Sequence, residues 1–548
     1  MEVVTLCLFL LLAVVVSGVV SRLLPSALPR PLVQIALGAL IGTSTHVRVA
    51  LDPELFFLLL VPPLLFLDGW RIPKDELLRD GRAVLGLALG LVFVTVLGLG
   101  LFVHWLIPVI PLPVSFALAA VVSPTDPIAV GAVAQKVAIP RRMMHILEGE
   151  SLLNDASGLV CLRFAIAAAL SGSFSPGNAA LTFGWTALAG AALGAGVTWA
   201  AITAKAAFTR RFGDDSGSNV LVSLLIPFGA YLAAEHVNAS GVLAAAASGI
   251  AMTFVGGPST SGAASRIRRR AVWDMLQFTL NGVTFVLLGE QLPEVFTGAR
   301  RLVVETGHQR SIWLLVYAVA IVVVLAALRF VWVWLSLQLT LLRARQRGDS
   351  TRSSPPLRII AAMSVAGARG AITLAGALTI PLTLGDGSPF PARDLVIFLA
   401  CGVILASLMV AAVGLPYLLH NLRLPDDFSE VTDRDNARIE GAKAAIVAIE
   451  AAQHRMGTEN GDADRYAEIA TQIIDLYRDR VDTLSADDAD KPDPERMRIE
   501  RDLRLVAITA ERQKVFEMAR RGEVRLSIAD QIGRELDWAD ERLVRISL

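Results

Sequence analysis

The chain has 548 residues, of which 54% are hydrophobic and only 18% are charged, and its mean hydropathy is +0.57. Runs of apolar residues recur along the chain. A helix of about 20 apolar residues is long enough to cross the roughly 30 Å of hydrocarbon in a bilayer. This composition excludes an ordinary soluble protein and predicts an all-α polytopic membrane protein. The 50 basic and 50 acidic residues give a formal net charge of zero, and nothing in this balance indicates nucleic-acid binding.

The first apolar run, VVTLCLFLLLAVVVSGVV, is long enough to span a membrane. No basic segment precedes it, so we interpret it as a retained span and not as a signal peptide. Cys7, Cys161 and Cys401 all fall in apolar runs and lack the paired spacing of a metal site. We therefore expect the cysteines to pack as small apolar residues.

The hydropathy pattern predicts thirteen spans in chain order. They lie near residues 3–21, 31–43, 52–68, 83–107, 113–135, 146–171, 181–204, 219–236, 240–255, 271–291, 312–342, 357–382 and 394–420. Basic residues concentrate in the odd-numbered connections, which the positive-inside rule assigns to the cytoplasm. This alternation predicts an N-terminus outside, and an odd number of spans then leaves the C-terminal tail in the cytoplasm.

Two predicted spans at matching positions contain helix-breaking sequences. The fifth contains SPTDPIAVGAV, with Pro124 and Pro127, and the twelfth contains VAGARGAITLAGALTIP, with Arg369 among small residues. Two groups of six spans joined by one linking span have opposite orientations in the membrane. Broken helices at equivalent positions of such inverted repeats are typical of the substrate sites of secondary transporters. We therefore expect two inverted six-helix repeats with broken crossing helices and a binding site between them.

The character of the chain changes after residue 420. Residues 1–420 form the predicted transmembrane domain, whereas 421–548 are highly charged. Apolar residues recur at helical spacing near 435–456, 463–484 and 493–540, with turn-like breaks at 457–462 and 485–495. These features predict a helical cytoplasmic C-terminal domain.

Ionisable residues within spans are functional candidates, because an aspartate at the bilayer centre costs roughly 3 kcal/mol. The densest cluster is EGESLLNDASGLV, at the start of the sixth span. Helical spacing places Ser151 and Asp155 on one face, with Asn154 beside them. Carboxylate, hydroxyl and amide oxygens suit a small monovalent cation. A plainer interpretation, in which Asp155 only makes hydrogen bonds within the bundle, is weakened by the broken helix nearby.

The broken fifth span supplies the remaining candidates for this ion site. Thr125 and Asp126 lie between the two prolines, and main-chain carbonyls freed by the break can bind a cation. The predicted metal ligands for a monovalent cation are thus Asp155, Ser151 and Thr125.

Four motifs together resemble those of a bacterial sodium/proton antiporter. They are SPTDP, EGESLLNDASGLV, PPLLFLDGW at residues 62–70 and AGARGAITLA. The family is that of the monovalent cation/proton antiporters, which includes NhaP-type transporters and animal sodium/proton exchangers, and the resemblance covers about residues 1–420. It implies that Asp155 carries the cation and the proton in turn. It also assigns to the ion site, by matching motif positions, Asn154, Asp126, Thr125, Ser151 and Asp68.

Three further charged residues match family positions with a structural role. Arg329 resembles the arginine that pairs with the glutamate five residues before the carrier aspartate, which is Glu150 here. Arg369 matches the arginine beside the second broken helix, where it can offset the carbonyl ends of half-helices and the charge of Asp126. For Arg163, both a simple ion pair and a functional role remain open. Glu290 lies near the end of a predicted span, so we expect it at the interface between membrane and water.

The resemblance implies exchange of Na⁺ for H⁺ across the plasma membrane, with Li⁺ or K⁺ as alternative cations. Because Asn154 stands where some relatives have a second aspartate, it also implies electroneutral one-for-one exchange. A homodimer with elevator-type movement is implied as well. The ATP-binding pattern G-x-x-x-x-G-K-[ST] is absent from the sequence, and we expect neither an enzyme nor a cofactor. The alternatives are a K⁺/H⁺ antiporter, a passive cation channel and an intramembrane aspartyl protease.

Overall fold

A computed structural model describes most of the chain. The described residues are 2–23, 29–44, 53–71, 74–126, 141–171, 176–213, 215–255, 263–305, 312–346, 356–384, 387–420, 428–460, 463–485, 494–521, 523–525, 528–529, 532–533, 535–537 and 539. The chain divides into two compact units, Met1–Leu422 and Arg423–Leu548.

The described part of the first unit is built from α-helices. They are α1 (Glu2–Leu23), α2 (Arg30–Ser44), α3 (Pro53–Arg71), α4 (Lys74–Leu106), α5 (Leu112–Val121), α6 (Arg141–Ser171), α7 (Pro176–Phe212), α8 (Ser216–His236), α9 (Gly241–Val255), α10 (Ala263–Glu305), α11 (Ile312–Gln346), α12 (Leu357–Val365), α13 (Ala371–Leu378) and α14 (Arg393–Leu419). Among the described residues, seven helices are long and apolar enough to cross a membrane. The prediction of an all-α polytopic membrane protein is confirmed.

Two helices break where the sequence predicts it. Helix α5 ends at Val121, and residues 124–126 follow without regular structure. Pro124 supplies no backbone N–H, which favours a break here. Helices α12 and α13 are separated by residues 366–370, where Gly367 and Gly370 disfavour a continuous helix. Pro127 and the rest of the fifth predicted span lie outside the described residues.

Several basic segments predicted as loops are helical instead. Helix α10 has 43 residues, about 65 Å at 1.5 Å per residue, whereas the predicted span covered only 271–291. Arginine and alanine are good helix formers, so the helix continues beyond its apolar section. The four arginines between Arg266 and Arg270 therefore lie on its first turns. Glu290 lies within this helix and is buried, whereas the predicted span ended beside it; its interfacial position stays a prediction.

Helices of the first unit approach closely at glycines. A Cβ atom added to Gly38 of α2 would lie 1.9 Å from the carbonyl oxygen of Val286 in α10. One added to Gly249 of α9 would lie 2.0 Å from the carbonyl oxygen of Phe66 in α3. Small residues at such crossings let helix backbones pack together in a membrane, where burial of apolar surface from water contributes little.

The contacts define two groups of packed helices. In one group α4, α5 and α6 pack on one another, and α4 contacts α11, which in turn packs against α12 and α14. In the other, α2 packs along α10 and against α1, while α9 contacts α3, α7 and α8. Helices α10 and α14 pack together between the two groups. The breaks after α5 and between α12 and α13 belong to the first group.

The second unit contains α15 (Phe428–Asn460), α16 (Ala463–Ser485) and α17 (Pro494–Arg520), and α15 packs against α16. Helix α15 continues through part of the predicted break at 457–462, which contains no proline. The predicted helix over 493–540 is too long, because α17 ends at Arg520. The sequence has a glycine at 522, and glycine is a poor helix former.

Candidate functional site

A small cavity lies where the broken segments meet neighbouring helices. Its volume is about 20 Å³, which is room for one water-sized guest. Helices α3, α6 and α10, the segment after α5 and the start of α13 line it. The lining residues are Leu64, Asp68, Pro124, Thr125, Asp126, Ser151, Asp155, Asn281, Gly370, Ala371, Ile372 and Thr373. The side chains of three aspartates, two threonines, one serine and one asparagine therefore border a space for one water-sized guest.

Asp155 and Ser151 share one face of α6, as helical spacing predicts. Both line the cavity, and only 3% of Asp155 is exposed. Ser151 Oγ donates a hydrogen bond to the carbonyl oxygen of Thr125, at 2.5 Å. Helix α6 is thereby tied to the irregular segment that follows α5. Thr125 itself is buried and lines the cavity as well.

Asn154, unlike Ser151 and Asp155, does not line the cavity. Its Nδ2 donates to Thr125 Oγ1 at 2.8 Å, and its Oδ1 accepts from the backbone N–H of Thr125 at 3.5 Å. The side-chain amide is not among the groups that line the cavity. We expected its carbonyl oxygen to face a cation. That oxygen accepts from Thr125, so the amide links α6 to the irregular segment, and a direct contact of Asn154 with a cation stays a prediction.

Asp126 and Gly370 bring the two breaks into contact. The backbone N–H of Asp126 donates to the carbonyl oxygen of Ala368 at 2.7 Å. A Cβ atom on Gly370 would lie 1.9 Å from Asp126 Oδ2 and 2.5 Å from Asp126 Cβ. Only glycine fits here without displacing the aspartate. Asp68 faces the same cavity from α3.

Arg369 binds the carbonyl ends of both breaks. Its Nε donates to the carbonyl oxygen of Val122, at 2.9 Å, and its Nη1 donates to the carbonyl oxygen of Gly367. Val122 is the C-cap of α5, and Gly367 follows α12. The partial negative charge at a helix C-terminus is stabilised by a cation. The residue thus has the carbonyl contacts predicted for it.

Glu150 and Arg329 form a buried ion pair beside the site. Nη1 of Arg329 lies 2.6 Å from Oε1 of Glu150, and Nη2 donates to Oε2 at 2.9 Å. Only 2% and 0% of these side chains are exposed. Arg329 Nε also donates to the carbonyl oxygen of Met363 at 2.9 Å, in α12. Neither residue lines the cavity, so the pair joins α6, α11 and α12 behind it.

Two other polar residues lie within the predicted spans. Arg163 forms an ion pair with Glu235 at 2.7 Å on the surface of the unit, which accounts for its presence within a predicted span. Asn281 of α10 lines the cavity and was missed, because the sequence survey considered only ionisable residues within spans. A polar amide inside an apolar segment was the signal that would have found it.

Comparison with known proteins gives consistent matches. Residues 9–421 match the family described as sodium/hydrogen exchanger, transmembrane. The chain is 39% identical to the uncharacterized Na⁺/H⁺ exchanger YjcE of Escherichia coli strain K12, over 99% of both chains. It is 38% identical to a sodium, potassium, lithium and rubidium/H⁺ antiporter of Bacillus pumilus, over 94% of this chain and 74% of that protein.

A solved structure has a similar fold. The sodium proton antiporter MjNhaP1 of Methanocaldococcus jannaschii matches 77% of this chain and 99% of its own, with a TM-score of 0.57. The sequence identity is 19%, so this likeness concerns the fold alone.

Proposed function

Because this chain belongs to the sodium/hydrogen exchanger family, it is a cation/proton antiporter and not an enzyme, and we propose that Asp155 carries both ions. The observation that supports this assignment is the convergence of Asp155, Asp126 and Asp68 on one cavity at a helix break. Membership of a transporter family removes the intramembrane protease from the alternatives.

The exchange mechanism follows from competition for one carboxylate. A protonated Asp155 is neutral, and a deprotonated Asp155 with a bound Na⁺ is also close to neutral. Either form crosses the low-dielectric interior at less cost than the bare anion, because an unpaired charge is strongly disfavoured there. A transport cycle in which only loaded forms move therefore couples cation flow in one direction to proton flow in the other.

The cation ligands that we propose are oxygen atoms around Asp155. Its carboxylate supplies charge, and the hydroxyl groups of Ser151 and Thr125 border the same cavity. Asn154 supports this set indirectly through its two contacts with Thr125. Asp68 and Asp126 add negative potential, which attracts a cation and repels anions.

One test of the carrier assignment is Asp155→Asn. The substitution keeps the size of the side chain but removes both the charge and the titrating proton, so exchange should be abolished in vesicles that contain correctly inserted protein. Asp394→Asn is the matched control, since this carboxylate is on α14, 53% exposed and not among the cavity residues. Exchange at the wild-type rate by the Asp155→Asn protein would refute the assignment.

We also propose electroneutral exchange of one cation for one proton. Asn154 is a neutral amide, which leaves Asp155 as the single residue that alternates its load, while Asp126 keeps a constant charge. Proteoliposomes clamped with K⁺ and valinomycin test this stoichiometry. An inside-negative potential should leave the rate unchanged at constant pH and Na⁺ gradients. A rate change of several-fold would mean that a second residue, Asp126 or Asp68, also carries a proton.

The transported cation is proposed to be Na⁺, with Li⁺ and K⁺ as the alternatives. Support comes from the family description and from the relative in Bacillus pumilus, whose name includes all three ions. Dequenching of a pH-sensitive dye in vesicles, compared for the three salts, ranks them. A passive cation channel predicts instead that a proton gradient fails to drive uphill Na⁺ movement.

For the architecture we propose thirteen spans in two inverted six-helix repeats, in a plasma-membrane homodimer with elevator-type movement. The separation of the helices into two packed groups supports a mobile group that slides past a static one. We propose an N-terminus outside and a cytoplasmic domain at 421–548. Chemical cross-linking in membranes tests the dimer, and protease access to the tail from each side of the membrane tests the orientation.

A further inference from the structure

The first turns of α10 carry an unusual concentration of positive charge. Four of the five residues from Arg266 to Arg270 are arginines, and no acidic residue lies in the first turn. The N-terminus of a helix already has a partial positive charge, which favours anions and disfavours cations. Free backbone N–H groups there make such an end suitable for binding a phosphate group. A bound anion would offset both the charge of the arginines and the partial positive charge of the helix N-terminus.

Arg269 provides the second, independent observation. It is only 8% exposed, and its Nε has no hydrogen-bond partner among the described residues. Its guanidinium carbon lies 5.2 Å from the centroid of the Trp70 ring. Buried charges in proteins are normally paired, and a contact with an aromatic face replaces lost hydration only in part. The Arg269 Nε is thus a buried donor without a partner in the described part of the chain, and an anion would satisfy it.

Two described acidic side chains near this end of α10 make their hydrogen bonds and ion pairs with residues other than Arg269. Asp274 forms an ion pair with Arg71, whose Nη1 also donates to Gln277 Oε1 at 2.5 Å. Asp215 caps α8 by accepting hydrogen bonds from Ser218 and Gly217. These bonds hold the pKa of the Asp215 carboxyl below its usual value, and the nearby charge of Arg268 acts in the same direction.

Aromatic residues indicate the depth of this cluster in the membrane. The rings of Phe66 and Trp273 stack at 5.0 Å, and the ring of Trp70 meets Trp273 edge-on at 6.3 Å. Trp273 Nε1 donates to Ser223 Oγ at 3.1 Å. Tryptophans are enriched at the interface between hydrocarbon and water. Because Trp70 and Trp273 lie beside them, we take the arginines of α10 to be near the level of the lipid head groups.

We propose that the start of α10, with Arg269 at its centre and Arg266, Arg268 and Arg270 around it, binds the phosphate group of an anionic lipid. Basic pockets between transmembrane helices at head-group level recognise such lipids through charge-assisted hydrogen bonds to phosphate oxygens. The planar guanidinium of arginine suits this contact better than a lysine does. The lipid would occupy a site separate from the cation cavity.

The test uses the full chain in neutral detergent and compares two lipids. Dioleoyl phosphatidylglycerol should raise the melting temperature, whereas dioleoyl phosphatidylcholine should not. In Arg269→Met the half-saturating concentration of phosphatidylglycerol should rise by at least about fivefold, the effect of one arginine at an anionic surface. Without added lipid this variant should be no less stable than the wild type, because it loses an uncompensated buried charge.

Controls make the outcome decisive. Arg300→Met removes an exposed arginine near the other end of the same helix and should keep the wild-type lipid response. If Arg269→Met does not fold, the double variant Arg266→Met/Arg270→Met carries the same prediction. An unchanged phosphatidylglycerol response in the variants would overturn the proposal. An equal rise in melting temperature with inorganic phosphate alone would overturn the assignment to a lipid.

Discussion

The buried pair of Glu150 and Arg329 makes a quantitative prediction about stability. Glu150→Gln leaves the guanidinium charged and buried without a counter-charge, while its hydrogen bond to the carbonyl of Met363 remains. Arg329→Met leaves the carboxylate charged and buried, and it also removes the hydrogen bond to Met363. Removing one partner of a buried ion pair costs about 3–5 kcal/mol. A hydrogen bond from a charged group adds about 1.5–3 kcal/mol, so Arg329→Met should be the more damaging variant.

The double variant distinguishes a direct pair from two independent effects. It contains no stranded charge, so its loss of unfolding free energy should be about 2–3 kcal/mol smaller than the sum of the single losses. Reversible unfolding in mixed micelles of neutral detergent and dodecyl sulfate gives the four free energies of the cycle. The surface pair of Arg163 and Glu235, at 48% and 35% exposure, is the control and should show a coupling of about 0–1 kcal/mol.

Single losses that add within about 0.5 kcal/mol would refute the reasoning, because they would mean that the two side chains do not interact. A strong coupling in the control pair as well would show that the micelle assay, and not burial, produces the effect.

Two pairs of glycine substitutions test the close contacts. Gly370→Ala should slow exchange in vesicles at least about tenfold, because its Cβ would lie 1.9 Å from Asp126 Oδ2 and misplaced binding groups cost that much or more. The control is Gly196→Ala in α7, where nothing lies within 4 Å of the added Cβ. This variant should exchange ions at the wild-type rate. Gly38→Ala should lower the unfolding free energy by about 1–3 kcal/mol through overpacking against α10. Gly18→Ala, with an open position, should instead raise it by about 0.5–1 kcal/mol. Equal effects within either pair would contradict the packing described.

Hydropathy and motif spacing predicted the helical class and the two breaks, since proline, glycine and apolar run length act locally. The spacing of four residues along a helix correctly placed Ser151 and Asp155 on one face of α6. The pairing of Glu150 with Arg329, 179 residues apart, was predicted through family resemblance, because no local pattern in the sequence indicates so distant a contact.

Other features depend on tertiary structure and were missed. Asn281 reaches the cavity because α10 passes beside it, which the sequence of α10 alone does not indicate. The orientation of the Asn154 amide depends on the conformation of Thr125 after the break. Helix α10 was predicted too short because hydropathy detects the apolar section of a helix and not its basic ends.

The cross-links between the two breaks have a consequence for ion selection. Arg369 joins the carbonyls of Val122 and Gly367, and the Asp126 amide joins Ala368. These bonds tie the two broken segments into one frame, which has little freedom to widen or contract. We therefore expect that relative movement of the half-helices does not fit the cavity to ions of different radius. We expect the adjustment to come from the opposite wall, where Asp68 of α3 and Asn281 of α10 line the cavity outside this frame. We therefore expect discrimination between small and large alkali ions to depend on this wall, where Asp68 was predicted from a motif and Asn281 was missed.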